Sequence, residues 1–298
     1  MKKIFSILLI CLVTSGCQTN NRQESEIVTD NIETKTVVEN NKELSENNVS
    51  NEEQKLADYS SIFNGVDGCA VFYQPTEGYY IYNEEECNTR YSPNSTFKIV
   101  AVLEGLRCGV LQSEETTMVY SGKKYPIEAW NGNLNLKEAF QASCVWYFRQ
   151  VIDSIGQDNM QKALNSLSYG NCDISNWEGI DAKNNPDRSG FWLGSSLEIS
   201  PMEQVKVLYD IFEGNTDYTS EQVMLLKGVM ESETEGIYGK TGSGIDNSAW
   251  YVGFYENKDD KLYFAVHMQG DETQSIAGAN AKAVAVEIIN QHFKGLSS

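Results

Sequence analysis

The chain has 298 residues, of which 41% are hydrophobic and 22% are charged, and its formal net charge is −19 at pH 7. Such an acidic chain argues against a nucleic-acid partner, because nucleic acids bind basic surfaces. The two histidines, His267 and His292, lie at no metal-ligand spacing with the seven cysteines, so no His/Cys metal site is predicted.

Residues 1–17 are predicted to be an export signal. An apolar run over residues 4–13 follows two lysines and is too short to span a bilayer. Small residues before Cys17 are typical of a bacterial lipoprotein cleavage site, in which the cysteine becomes the lipid-bearing first residue. Thr14 stands where a branched aliphatic residue is usual, so plain secretion is the alternative. We expect an exported protein, either lipid-anchored at Cys17 to the outer face of the bacterial cell membrane without a spanning helix or secreted.

Residues 18–56 are predicted to be a disordered acidic tether. Asn, Glu, Ser and Thr dominate this segment, and the first aromatic residue after it is Tyr59. Such a composition buries too little apolar surface to offset the entropy of ordering the chain. The segment is therefore a spacer that lets a folded domain stand away from the membrane.

The remaining residues, 57–298, are enough for one sizeable core or for one domain with two lobes. Alternating apolar residues and turn signals predict two hairpins, and periods of 3.6 residues with capping residues predict the helices. In chain order these are strands over 70–73 and 79–82, a helix that begins at Pro93 and Asn94, a helix over 135–155, helices over 201–212 and 219–230, strands over 250–255 and 262–268, and a helix over 276–293. Strands at both ends with helices between them predict an α+β domain whose terminal segments join one sheet.

The cysteines leave two possibilities open. If Cys11 leaves with the signal and Cys17 carries a lipid, five remain, and an odd number in an exported protein means at least one free thiol. Cys69 and Cys87 flank the first hairpin and are candidates for a disulfide. A reducing habitat would equally allow five thiols, at Cys69, Cys87, Cys108, Cys144 and Cys172.

The candidate nucleophile is Ser95, with Lys98 three residues later on the same helix. This spacing puts the hydroxyl and the amine on one face, within hydrogen-bond distance. A serine needs an adjacent base, and a lysine with its ordinary pKa of about 10.4 is almost entirely protonated at pH 7. The site must therefore keep Lys98 in an apolar pocket or modify it. For this tetrapeptide alone, a capped helix with a surface lysine is the alternative.

A second motif lies downstream, where Lys240, Thr241 and Gly242 precede a strand-like run. Ser-x-x-Lys followed by Lys-Thr-Gly is the signature of serine β-lactamases and penicillin-binding proteins. Further motifs stand between and beyond them: Trp130-Asn131, Ser143-Cys144-Val145, Tyr169-Gly170-Asn171 and Phe191-Trp192-Leu193. In this order and at these intervals the motifs resemble those of class D serine β-lactamases, the oxacillinase type, and of the related β-lactam sensor domains.

The resemblance covers nearly everything from residue 59 to residue 293. It implies the serine β-lactamase and penicillin-binding-protein fold, in which helices flank a central antiparallel sheet and form an all-helical lobe. It also implies a β-lactam substrate, a strained amide that bears a carboxylate. An enzyme that opens such a ring needs a nucleophile, a base, an oxyanion site and a cation.

The base implied by the resemblance is an N-carboxylated Lys98, formed with CO2 and without another cofactor. Phe97, Val145, Trp192 and Leu193 would form an apolar wall that lowers the pKa of Lys98, so that the neutral amine takes up CO2. The carbamate would act as general base for Ser95 in acylation and for water in deacylation. Trp192 would donate its indole N–H to the carbamate; the alternative for Trp192 is an ordinary core aromatic.

The remaining roles are also implied by the resemblance. The backbone N–H groups of Ser95 and Ser243 would form the oxyanion site. Lys240, Thr241 and the Ser143 hydroxyl would hold the substrate carboxylate and pass a proton to the leaving nitrogen. The substrate-binding set is Trp130, Ser143, Val145, Lys240, Thr241, Gly242 and Ser243.

One feature of the family is missing. Many class D enzymes grip the substrate carboxylate with an arginine after the Lys-Thr-Gly motif, but residues 266–282 contain no arginine. Gln274 and Ser275 are polar, and neither is assigned to this role. Recognition of the carboxylate, and with it substrate preference, is therefore left open.

The function predicted from the sequence is hydrolysis of β-lactams, penicillins first. Three alternatives stay beside it. The first is a β-lactam sensor, which acylates without turnover and would be expected to carry several membrane helices and a signalling module ahead of the domain. The others are a small transpeptidase, which usually has Ser-x-Asn in the second motif, and an inactive binding lipoprotein. No oligomeric state is predicted.

Overall fold

The computed structural model describes residues 53–258 and 260–293, so the predicted export signal and most of the predicted tether lie outside it. Six strands occur among the described residues: β1 (Gln54–Leu56), β2 (Asp67–Gln74), β3 (Gly78–Tyr82), β4 (Ile237–Ser243), β5 (Ser248–Glu256) and β6 (Lys261–Gln269). The α-helices of the same residues are α1 (Ser60–Phe63), α2 (Glu84–Asn88), α3 (Lys98–Arg107), α4 (Leu136–Gln141), α5 (Val145–Ile155), α6 (Gln157–Leu167), α7 (Pro201–Phe212), α8 (Ser220–Met230) and α9 (Gly278–Ile288). None of the described helices is long and apolar enough to cross a membrane.

The six strands form one sheet in the order β1-β3-β2-β6-β5-β4. Strands from both ends of the folded region meet at its centre, where β2 pairs with β6 and Val71 faces Ala265. All neighbouring strands are antiparallel except β1, which runs parallel to β3 at the edge. The predicted α+β architecture with both predicted hairpins is therefore confirmed.

Strand β1 corrects the predicted boundary of the tether at residue 56. Residues 54–56 pair with β3, and Lys55 forms an ion pair with Glu77 at 3.0 Å. Three mostly polar residues carry no recognisable strand pattern. The open edge of β3 supplies the backbone partners that make this segment a strand, and the sequence alone does not reveal that edge.

The sheet is buried on both faces, which explains the long apolar runs in its central strands. In β2, Cys69, Val71 and Tyr73 face the larger core, while the alternate residues Ala70 and Phe72 face the smaller one. Helices α1 and α9 cover the smaller core. Helix α7 packs on the opposite face, beside a helical lobe in which α3 contacts α5, α6 and α8.

The continuous helix predicted over residues 135–155 is wrong. The structure has two helices, α4 and α5, separated by three residues. Ser143, in the break, has a φ of +56°, a left-handed conformation that interrupts an α-helix. The apolar periodicity continues across the break because both helices face the same core, so the pattern did not reveal it.

The predicted helix caps are confirmed for α7 and α8, and the predicted cap at Asn94 is wrong. Ser200 and Thr219 each cap their helix through a capping box, with Glu203 and Gln222 as the reciprocal partners. Asn94 does not cap: its φ is +49°, and its side chain donates to the backbone oxygen of Ser92 at 3.3 Å. A 3-10 turn, Asn94–Phe97, leads directly into α3 instead.

The cysteines of the described region are free thiols, so the candidate Cys69–Cys87 disulfide is absent. Both side chains are fully buried. The Cys87 thiol donates to the backbone oxygen of Tyr82 at 3.2 Å.

Candidate active site

Ser95 and Lys98 meet as the sequence predicted. Ser95 lies in the 3-10 turn and Lys98 opens α3, and Nζ of Lys98 is 2.8 Å from Oγ of Ser95. Helix α7 holds the turn in place, because Gln204 donates to the hydroxyl of Thr96 at 2.9 Å. The nucleophile and its neighbour therefore stand on rigid backbone.

Lys98 is completely buried, and its surroundings are apolar. Its Nζ lies 5.4 Å from the centre of the Phe148 ring. Phe97, the preceding residue, stacks on Trp192 with the ring centres 6.0 Å apart. Burial lowers the pKa of Lys98 to about 7, because a low-dielectric environment disfavours the charged amine. A substantial fraction of the amine is therefore uncharged at neutral pH.

A second buried lysine joins the break between α4 and α5 to the sheet. Lys240 is 3% exposed, and its Nζ donates to Oγ of Ser143 at 2.8 Å and to the backbone oxygen of Thr241 at 2.9 Å. Burial lowers its pKa, and the nearby Lys98 lowers it further. The break that the sequence did not predict thus delivers the Ser143 hydroxyl to Lys240.

The Trp130-Asn131 motif supports this break. The indole of Trp130 donates to the backbone oxygen of Ala142 at 2.9 Å, and the Trp130 backbone oxygen accepts from the indole of Trp146 at 3.0 Å. Asn131 braces the preceding loop through the backbone N–H and oxygen of Tyr125. Trp130 thus connects residues on either side of Ser143 and holds the break open.

Strand β4 brings the Lys-Thr-Gly motif against the nucleophile. A Cβ at Gly242 would lie 3.2 Å from Cβ of Trp250 and 3.3 Å from both the Pro93 oxygen and a methyl group of Thr96, so the space between β4 and the 3-10 turn is tight. Ser243, the next residue, accepts a hydrogen bond from the backbone N–H of Gly278 at 2.9 Å. Gly242 thus permits the close approach that sets the width of the site.

These elements enclose a cleft of about 690 Å³. Its lining includes Ser95, Trp130, Ser143, Val145, Thr241 and Ser243, all of which were predicted to act in one site. Lys98 and Trp192 lie beneath the cleft surface, completely buried. In the described part of the chain, no group of three His, Cys, Asp or Glu side chains is arranged to hold a metal ion.

The opposite side of the cleft is a loop over residues 170–199, here called the loop wall. Its one helical element is a 3-10 turn, Pro186–Arg188. Gly170 and Asn171 close its base: Gly170 has a φ of +56°, and a Cβ there would lie 1.9 Å from the oxygen of Glu198. The Asn171 side chain donates to the Ser196 oxygen at 2.8 Å and accepts from the Glu198 N–H at 3.1 Å.

A buried arginine that the sequence reasoning missed anchors the loop wall. Arg149 is 5% exposed and donates to the backbone oxygens of Trp177 at 3.0 Å and Ser189 at 3.5 Å. Its guanidinium lies 5.4 Å from the ring centre of Trp192 and pairs with Asp153 on the next helical turn. The signal was present in the sequence, because Arg149 is a charged residue on the apolar face of α5.

Other cleft residues had no sequence signal. Three isoleucines line the cleft with large exposed fractions: Ile127 at 46%, Ile180 at 61% and Ile245 at 90%. Arg188, in the loop wall, lines it as well. These residues come from three distant segments, so only the folded chain brings them to one opening.

Comparison with known proteins identifies the family. The penicillin binding protein transpeptidase domain matches residues 39–290. The regulatory protein BlaR1 of Bacillus licheniformis is 32% identical over 244 residues, 78% of this chain and 38% of that protein. The chain thus spans about 40% of the length of the first curated relatives that it matches.

Two solved structures have the same fold. A class D β-lactamase from Bacillus subtilis has a TM-score of 0.71 and 29% sequence identity, over 81% of this chain and 97% of that one. The C-terminal domain of the Bacillus licheniformis BlaR penicillin-receptor has a TM-score of 0.72 and 30% identity, over 80% of this chain and 96% of that one. The predicted serine β-lactamase and penicillin-binding-protein fold is therefore confirmed. This chain belongs to the penicillin binding protein transpeptidase domain family, in which its relatives include both class D β-lactamases and a penicillin receptor.

Proposed function

We propose that this protein hydrolyses β-lactams, penicillins first, through an acyl-Ser95 intermediate. The observation that carries the proposal is the Ser95–Lys98 pair, with Nζ and Oγ 2.8 Å apart and Lys98 completely buried. An amine with a pKa of about 7 is available as a base, or for reaction with CO2, at neutral pH.

The carboxylated lysine implied by the family fits this site. Formation of a carbamate needs an uncharged amine, which burial supplies. The indole Nε1 of Trp192 is buried and has no hydrogen-bond acceptor among the described residues, so this N–H is free to donate to an added group. The Trp192 ring stacks on Phe97, the residue before Lys98. When present, the carbamate would supply a carboxylate base beside Ser95. Phe97 and Phe148 keep bulk water from Lys98.

The other residues act on the substrate directly. The uncharged amine of Lys98 accepts the hydroxyl proton of Ser95 as the Ser95 oxygen attacks the lactam carbonyl carbon. The backbone N–H groups of Ser95 and Ser243 stabilise the oxyanion. As the C–N bond breaks, the Ser143 hydroxyl passes a proton to the leaving nitrogen and regains one from the protonated form of Lys240, 2.8 Å away. Water then attacks the ester and releases the ring-opened acid and free Ser95.

The second candidate is a β-lactam receptor that is acylated at Ser95 and stays acylated. Likeness to the penicillin-receptor domain of BlaR favours it about as much as the class D structure favours the enzyme. Both candidates need the same acylation machinery. They differ only in whether a base remains beside Ser95 to activate water.

The test is steady-state turnover of benzylpenicillin with and without added bicarbonate, combined with intact-protein mass spectrometry. Hydrolysis predicts many turnovers per protein and a rate that rises with bicarbonate. One acyl group per chain with no further turnover would support the receptor. No acylation at all would overturn both. Ser95→Ala is the control, and it is expected to be neither acylated nor active.

We also propose export and lipid attachment at Cys17. The support is the sequence of residues 1–17 described above. Expression of the full chain in a bacterium with metabolic labelling by a fatty acid is the test. Label on the wild type that is lost in Cys17→Ala is the expected result, and unlabelled protein in the medium would show secretion instead.

A further inference from the structure

Arg188 is a cation of the cleft that the proposed chemistry does not use. It ends the 3-10 turn Pro186–Arg188 in the loop wall and lines the same cleft as Ser95. Two hydrogen bonds hold the preceding residue, Asp187, because its carboxylate accepts from Lys123 at 2.7 Å and from the hydroxyl of Tyr125. The turn that presents Arg188 is thus tied to the segment that carries Lys123 and Tyr125.

The Arg188 guanidinium has more N–H donors than its described hydrogen bonds use. Its Nη2 donates to the neutral side chain of Asn185 at 2.8 Å, while Nε is buried and finds no acceptor among the described residues. No ion pair joins Arg188 to a carboxylate in this part of the chain. Asp181 also lines the cleft, and its carboxylate accepts from Asn184 at 3.0 Å and Asn185 at 2.6 Å. These two hydrogen bonds lower the pKa of Asp181, and the charge of Arg188 adds to that effect without a direct ion pair.

A side chain that is always positively charged matters in this site because burial opposes the charge on its other two basic side chains. Lys98 and Lys240 are both buried, and burial favours their uncharged forms. A guanidinium stays protonated under all ordinary conditions and offers a planar pair of N–H donors that matches a carboxylate. The arginine that the resemblance to class D enzymes implies is missing from residues 266–282.

We propose that the guanidinium of Arg188 binds a carboxylate of the β-lactam. The carboxylate is either the one on the ring system that every penicillin bears or a second one on the acyl side chain. This inference rests on the proposed reaction of Ser95 with β-lactams, and it holds equally for a hydrolase and for a receptor because it concerns acylation.

The experiment measures the second-order rate constant for acylation of Ser95, followed by mass spectrometry, with two substrates. Benzylpenicillin has the ring carboxylate alone, and α-carboxybenzylpenicillin differs from it by one side-chain carboxylate. Arg188→Gln removes the charge and keeps a donor to Asn185; it should lower acylation by about 10- to 100-fold, the loss expected for a hydrogen-bonded charge pair. Arg188→Lys should recover part of that loss.

The matched control is Lys183→Gln, which removes the same charge from an exposed position in the same loop. It should leave both rate constants unchanged, and thermal unfolding should show that all three variants are folded. A loss with both substrates assigns Arg188 to the ring carboxylate, and a loss confined to α-carboxybenzylpenicillin assigns it to the side chain. Wild-type rates in both Arg188 variants, or an equal loss in Lys183→Gln, would overturn the inference. Failure of the wild type to acylate would instead overturn the proposed function.

Discussion

The two sides of the cleft are held by different kinds of bonds. The catalytic wall, formed by the 3-10 turn Asn94–Phe97, the start of α3 and strand β4, is built from regular backbone and from one close approach at Gly242. The loop wall depends on side chains: Asn171 closes its base, Arg149 holds two of its carbonyls, and the Ser92 hydroxyl joins it to the catalytic wall through Trp192 and Gly194.

The two walls therefore have different tasks. The catalytic wall positions the nucleophile, so its geometry must be rigid in every state. The loop wall packs Trp192 on Phe97, the residue before Lys98, and presents Arg188 to the cleft. In the proposed function it would tune the base and contact the substrate. Substitutions in the first wall should therefore abolish chemistry, whereas substitutions in the second should change its dependence on CO2, pH and substrate.

The largest effect is expected for Lys98→Ala in the catalytic wall. Loss of the base should lower the rate of deacylation by about 10³-fold, within the usual range for general-base catalysis. Single-turnover measurements with benzylpenicillin and mass spectrometry of the acyl protein check this. Lys162→Ala, an exposed lysine on α6, is the control. A Lys98→Ala protein that turns over at the wild-type rate would remove Lys98 from the mechanism.

The next effect is expected for Arg149→Ala, which loosens the loop wall. The backbone oxygens of Trp177 and Ser189 lose their donor, and the Trp192 ring loses its contact with the guanidinium. These losses should cost about 2–4 kcal/mol of unfolding free energy. Urea unfolding measures it. Arg90→Ala, from an ion pair whose arginine side chain is 44% exposed, should cost under about 1 kcal/mol. Equal losses for the two variants would show that Arg149 is no anchor.

A smaller effect is expected for Trp192→Phe, which keeps an aromatic ring over Phe97 and removes the indole N–H. Turnover in air should fall about tenfold, the value of one hydrogen bond to a charged group, because Lys98 holds CO2 less tightly. Added bicarbonate should restore it. Trp177→Phe, in the same loop, should not alter the response to bicarbonate. If added bicarbonate does not restore turnover in Trp192→Phe, the loss comes from altered packing and not from weaker binding of CO2.

The smallest effect is the pH dependence of the wild type. Burial lowers the pKa of Lys98 from 10.5 to about 7, so its uncharged fraction rises about fivefold between pH 6 and pH 7 and then levels off. Turnover at fixed dissolved CO2 should follow that curve, and a flat profile from pH 6 to 8 would contradict it. Because the folded chain binds fewer protons here than the unfolded chain, Lys98 should also make unfolding free energy rise with pH between about 7 and 10.5.

Much of the fold was predictable because its signals are local. The hairpins follow from alternation and turn residues, and the starts of α7 and α8 follow from Ser200 and Thr219. The Ser95–Lys98 contact follows from three-residue spacing on one helical turn. Strand β1 and the break at Ser143 were not predictable, since an open sheet edge made the first and a shared core hid the second.

The sequence by itself determined the chemical groups, their order along the chain and the local elements that carry them, because turns, caps and helical spacing act over a few residues. Only the tertiary structure decided that Lys240 meets Ser143, that Arg149 anchors the loop wall and that Arg188 lines the cleft. It also decided the pKa of Lys98, because that pKa depends on which distant side chains exclude water from the amine.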